Sequence, residues 1–369
     1  MRYLFLLAAL TLTTTAQAQW QLQQSPTTAD LRGIDNVGNG IAWASGTNGT
    51  ILRTTDAGAH WQLCTTPPNA EHLDFRGIQA FDATTAIAMS SGPGDQSRLY
   101  KTMDACQTWT LVFTNPDKTG FWDAYVLGRG RRTGILIGDP VDGKIPIWRP
   151  NLDYAKPTLE PFHHRPQALK GESEFAASNS ALFVSDAFFD FWIATGGISG
   201  SRVIKRINHD FDSFGFDSYQ SSPVPVGAKT ESSGIFSLSF RDAPKNSDPE
   251  KQFLIGIAVG GDYLKPNDSA RTAAFTTDDC QHWQASTTPP HGFRSAVAYD
   301  APTKTWITVG PNGTDISTDD GRNWRPLTPS KDEPADADQH WNALSLPYVV
   351  GPHGRIATLR PSALAPTSK

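Results

Sequence analysis

The chain has 369 residues, 32 basic and 37 acidic side chains for a formal net charge of -5, and 31 Gly, 27 Pro, 11 Trp and 19 Phe. The near balance of charge excludes a global attraction to nucleic acid or to an anionic membrane, so any charged site must be local. Abundant Gly, Pro and aromatic residues, with no long Ala/Leu/Glu/Lys-rich stretch after the first 18 residues, predict an all-β protein of short strands and turns.

The N-terminal stretch MRYLFLLAALTLTTTAQA has a basic Arg2, an apolar run from Tyr3 to Leu12, and Ala16 and Ala18 in an A-x-A arrangement. This is the pattern of a secretory signal peptide over residues 1–18, cleaved after Ala18. The apolar run falls short of the roughly 20 residues that span a bilayer, so no transmembrane segment is expected in the mature chain. The expected location is periplasmic or extracellular. Export permits disulfides, and the mature chain carries Cys64, Cys106 and Cys280. A bridge between Cys64 and Cys106, which flank the tryptophans of neighbouring repeats, and three packed thiols are both open readings. Neither makes a metal site.

Four copies of one pattern then appear in order: Thr54–Trp61, Thr102–Trp109, Thr276–Trp283 and Ser317–Trp324. Each reads Ser/Thr-x-Asp-x-Gly/Cys-x-x-Trp, and the chemistry is that of a hairpin turn. The carboxylates of Asp56, Asp104, Asp278 and Asp319 can accept backbone N–H groups across the turn, and Gly permits a positive φ there. Trp61, Trp109, Trp283 and Trp324 then open the next strand as buried anchors. These eight residues are assigned to architecture. Gly-bounded hairpin signals recur at Gly46–Gly49, Gly138–Gly143, Gly310–Gly313 and Gly351–Gly354.

Units open at Leu31, Phe75, Phe121, Phe175, Phe236, Phe293 and Trp341, which makes seven units with turn signals for four strands each, the spacing of propeller blades. The third to fifth are the least regular. Asp153 and Asp210 read as eroded copies of the turn, with insertions around Tyr154–Lys170 and Pro244–Lys251. The last unit ends near Leu359 without an outer strand, and Trp20-Gln21-Leu22 repeats Trp61-Gln62-Leu63. The N-terminal strand is therefore expected to complete the last blade and close a seven-bladed ring over residues 19–360, with 361–369 as a flexible tail.

The four turns are Asp boxes, also called bacterial neuraminidase repeats, and most of the mature chain resembles the single-propeller Asp-box proteins related to the photosystem II stability/assembly factor. The resemblance implies a scaffold that binds a protein partner. Sialidases share the box but carry an early Arg-Ile-Pro motif, which is absent here, and no Tyr is assignable to their nucleophile position. Seven units also differ from the sialidases' six.

Propeller ligands meet residues around the central channel, so the blade openings are the candidate site. Arg32, Arg76 and Arg294 occupy matching positions in units one, two and six and would form a basic patch. Asp123, Glu174 and Glu172 would face it, with Trp122, His340 and Trp341 as aromatic contacts. Arg suits bidentate carboxylate recognition, and each Arg could instead pair with a neighbouring acid to hold blades together. His163-His164 lacks a third ligand at metal spacing, and Gly260-Gly261-Asp262 completes no phosphate motif. The expectation is an exported, monomeric, non-enzymatic protein-binding scaffold without catalytic residues, metal, cofactor or nucleic-acid partner. The alternative is a glycan-binding protein or glycoside hydrolase, which requires two ring carboxylates about 5–9.5 Å apart across a sugar-sized groove.

Overall fold

The computed structural model describes residues 19–128, 133–152, 156–185, 190–207, 218–243, 254–329 and 333–364. The chain is a seven-bladed β-propeller. The blades span residues 31–63, 75–114, 122–161, 182–224, 233–285, 296–326, and 343–359 with 20–23, each with four antiparallel strands running outward from the axis. Blade 5 is extended at its inner edge by two short strands, Glu172–Ser173 and Gly196–Gly197, which bring the segment before blade 4 to the centre. Among the described residues there is no α-helix, and no helix is long and apolar enough to cross a membrane. The expected signal peptide, Asp153, Asp210 and residues 244–251 lie outside the described residues.

The hydrophobic core is a ring of wedges between adjacent blades. Strands buried on both faces, such as Ile41–Gly46 and Thr305–Gly310, meet the flat side of the next sheet. Trp43, Phe75, Tyr100 and Trp109 fill the wedge between blades 1 and 2, and Trp20, Ile307 and Trp341 that between blades 6 and 7.

The four sequence repeats lie at the outer edge. In blade 1, Thr54 Oγ1 donates to Asp56 Oδ1 at 2.9 Å and accepts the Gly58 N–H at 3.0 Å, while Asp56 Oδ1 accepts the His60 N–H at 2.9 Å. Asp104, Asp278 and Asp319 accept the N–H of Thr108, His282 and Asn323 in the same way at 3.0, 3.0 and 2.9 Å. The turn needs a left-handed residue, met by Gly58 at φ 83° and by Cys106 at φ 63°. The following Trp61, Trp109, Trp283 and Trp324 are all buried.

The ring closes as the sequence implies. Trp20–Gln23 pairs with Ile356–Leu359, Trp20 opposite Leu359. Trp20 is 2% exposed, lies 5.8 Å from the Trp341 ring, and donates its indole N–H to Thr314 Oγ1 at 3.1 Å. Gln23 Oε1 accepts the Trp61 indole N–H at 2.9 Å, tying the closing strand to blade 1. Pro361–Leu364 forms a single 3-10 turn whose Ala363 and Leu364 pack on the wedge between blades 6 and 7, and residues 365–369 lie outside the described residues. Of the two readings of the cysteines, the bridge is the one formed: Cys64 and Cys106 are joined, their Cα atoms 5.4 Å apart, fastening the rim of blade 1 to that of blade 2. Cys280 is a buried free thiol, its pKa pushed up by burial.

Candidate functional site

The innermost strand of each blade decides what faces the axis. At the start of blades 1, 2, 3 and 5 the register shifts by one residue, between Leu31 and Gly33, Phe75 and Gly77, Trp122 and Ala124, and Ile235 and Ser237. Each shift is a β-bulge, which turns one side chain away from the regular in-and-out alternation. The bulged residues are Arg32, Arg76, Asp123 and Phe236, and all four line one pocket of about 560 Å³ at the mouth of the axis. Phe121, Phe175, Phe293, Tyr263 and Trp341 supply its aromatic walls.

On one side, Arg32 and Arg76 share a single carboxylate. Arg76 Nε donates to Asp74 Oδ2 at 2.8 Å and its Nη1 to the Ala176 carbonyl at 3.0 Å; Arg32 Nε lies 3.2 Å from Asp74 Oδ1. Both Arg side chains are more than a quarter exposed. On the other side stand Asp123, Asp139 and Glu174, with one carboxylate oxygen of each within 4.8 Å of the others. Asp123 and Glu174 are 2% and 3% exposed, and neither Glu174 oxygen has a hydrogen-bond partner. Burial first, and then repulsion from Asp139, push Asp123 well above the usual carboxylate range, against the pull of Arg76. Glu174 is raised in the same way by burial and by Asp123, Asp139 and Glu172. Asp139 rises to about 6 through burial, although Glu174 N–H and the Ser173 hydroxyl bond to it.

Of the residues expected at the site, Arg32, Arg76, Asp123, Glu174 and Trp341 come together here. Arg294 does not. The N–H groups of Leu31, Arg294 and Trp341 each donate to a Gly carbonyl in the preceding blade, Gly351, Gly260 and Gly310. Arg294 is thus the counterpart of Leu31, one position before that of Arg32, and in a strand a one-residue slip reverses the face. It is fully buried and paired to Asp315, with its Nη1 donating to Asn312 Oδ1 and to the Phe293 carbonyl. Ser295 takes the axial position instead. Trp122 fills the same inward slot in blade 3, buried between blades 2 and 3 rather than lining the pocket. Glu172 pairs with Arg202 at 2.6 Å and also accepts the Thr195 hydroxyl. His340 is exposed outside the lining, held by its own N–H to the Pro311 carbonyl.

Two residues of the site went unnoticed in the sequence. Asp139 follows Gly138 in a hairpin signal, and turn chemistry accounted for it. Asp74 was legible in a repeat: Asp30-Leu31-Arg32-Gly33 and Asp74-Phe75-Arg76-Gly77 share one pattern, and Gly292-Phe293-Arg294-Ser295 departs from it at both ends.

The fold and this pocket define a single-ring, seven-bladed propeller with a divided, charged axial mouth. No protein-family model and no curated protein matches the sequence. Among solved structures, the chain is similar to YCF48 bound to D1 peptide, with 17% identity and a TM-score of 0.61 over 94% of this chain and 98% of that one. It is also similar to YCF48 from Cyanidioschyzon merolae, with 16% identity and a TM-score of 0.60 over 94% of this chain and 100% of that one. At these identities the likeness is one of fold.

Proposed function

We propose that this protein is an exported, non-enzymatic propeller scaffold whose axial pocket takes an acidic group on a segment of a protein partner, in the assembly or maintenance of an envelope complex. The observation that carries this reading is the Arg32–Arg76 pair, two partly exposed Arg side chains held by one carboxylate at the edge of an aromatic pocket. The pair keeps an excess positive charge and unused donors. Arg binds carboxylates bidentately, and side chains fixed by bulges on rigid strands lose little further entropy on binding. The similar fold of YCF48, solved with a D1 peptide, supports a peptide as occupant. The Asp boxes support placing the chain among the assembly-factor-like propellers. The leader pattern and the Cys64–Cys106 bridge support an oxidising, exported setting.

The hydrolase alternative needs two carboxylates on opposite faces of a sugar. The three acids of this pocket instead crowd together in one cluster. The three-arginine cluster of a sialidase is not formed either, because Arg294 is withdrawn into its pair with Asp315.

The test is fluorescence anisotropy with peptides of graded net charge, comparing the full chain with an Arg32→Ala, Arg76→Ala double variant. Acidic peptides should bind the wild type in a salt-dependent manner and lose at least about tenfold in the variant, the loss of one charge-assisted contact. Equal binding by both proteins, or binding of glycans and of no peptide, would overturn the reading.

A further inference from the structure

We propose that Asp123, Asp139 and Glu174 form a calcium site on the wall of the axial pocket. This is independent of the peptide reading, since the ion needs no partner protein. Three observations meet at this cluster. The first is spacing: one oxygen from each side chain lies within 4.8 Å of the others. Oxygens that share a calcium ion at about 2.3–2.6 Å stand no further apart than roughly twice that distance, so the three fit one coordination sphere.

The second is the isolation of Glu174. A carboxyl group 3% exposed, with neither oxygen hydrogen-bonded, sits against two acidic neighbours. A buried polar group of this kind is destabilising unless something meets it. The Asp123 Oδ2 atom is buried and unpartnered as well. The third is charge. Asp74, Asp123, Asp139 and Glu174 face Arg32 and Arg76, an excess of two negative charges when all are ionised, which one divalent cation cancels. All-oxygen, carboxylate-rich ligation selects a hard cation. The open pocket leaves room for the waters that complete a calcium shell, whereas magnesium demands a tighter octahedron.

The placement has a structural logic. Asp123 is the bulged residue of blade 3, Asp139 follows the second strand of that blade, and Glu174 follows the short Glu172–Ser173 strand carried by blade 5. A bound ion would link the irregular side of the ring across the blade 4 opening.

The experiment uses the full chain stripped with chelator and titrated with Ca2+ by calorimetry, with thermal unfolding in parallel. Wild type should bind one ion and melt at a higher temperature with Ca2+, with Mg2+ at least about tenfold weaker. Glu174→Gln, which keeps shape and removes the charge, should weaken Ca2+ binding at least tenfold without lowering the melting point of the stripped protein; Asp123→Asn serves as a second variant should Glu174→Gln fail to fold. No heat and no melting shift at millimolar Ca2+, Mg2+ binding as tight as Ca2+, or unchanged Ca2+ affinity in both folded variants would overturn the assignment.

Discussion

Carboxylates at the rim of the propeller and carboxylates at its axis are the same chemical group put to opposite use. At the rim, Asp56 and Asp104 accept N–H and side-chain bonds inside a closed turn, and their pKa falls to about 2. Asp278 and Asp319 are lowered by the same contacts. At the axis, Asp123, Asp139 and Glu174 are buried beside one another, and all three are raised. The rim satisfies its charges and holds the ring; the axis leaves them unmet, which is the mark of a surface awaiting a ligand. Crowded buried acids oppose folding, so the closed, well-bonded rim must carry the stability that the centre gives up.

The sharpest way to break this division is to open the rim. Deleting residues 20–25 removes the outer strand of blade 7 and the Trp20–Trp341 contact, and should abolish cooperative unfolding. Trp20→Ala alone should cost about 3–5 kcal/mol. A calorimetric melt like that of wild type in either variant would show that the closing strand is dispensable. Next in size is the covalent fastener. Cys106→Ser frees a loop with a sequence separation of 42 residues, for which chain entropy gives about 4 kcal/mol. Urea unfolding should show that loss in midpoint, and a reducing agent should bring wild type to the same value. A midpoint indifferent to both would remove the bridge from the rim's share.

The rim was the legible part of the molecule. Its turns rely on local chemistry, Ser/Thr, Asp and Gly or Cys within a few residues of one another, so the pattern survives in four copies, and the seven blade openings complete the count of the ring. The Trp20-Gln21-Leu22 echo of Trp61-Gln62-Leu63 even located the closing strand. The axis was half legible because each blade contributes one side chain and the identity of that side chain depends on register. Phe293-Arg294 looks like Phe75-Arg76, yet the bulge that turns Arg76 toward the axis has Gly77 after it, where blade 6 has Ser295. A single-residue slip sent Arg294 into the core. Asp139 and Glu174 meet only in three dimensions, 35 positions apart, and no spacing rule joins them.

The smallest predicted effects are the most discriminating, because rim and axis should respond to pH with opposite signs. A rim Asp of lowered pKa stabilises the fold above its unfolded value of 3.8, and that contribution disappears as pH falls toward 2. For Asp139 the order is reversed: between 3.8 and about 6 the folded protein keeps a proton that the unfolded chain has released. Stability must then fall as pH rises through that window, by about 3 kcal/mol at most for this group, and further while folded Asp123 and Glu174 keep protons that the unfolded chain has released. In the presence of chelator, the melting temperature should therefore be higher near pH 5 than at pH 8. Glu174→Gln should flatten that decline and stabilise the stripped protein at pH 8 by about 1 kcal/mol, since Gln keeps the shape and is neutral in the folded and the unfolded chain alike. At the rim, Asp278→Ala should do the reverse, losing the bonds to His282 and Thr276 and about 1 kcal/mol at neutral pH. If Glu174→Gln lost stability as Asp278→Ala does, the axial acids would be structural partners of the same kind as the rim turns, and the division between a holding edge and a binding centre would fail.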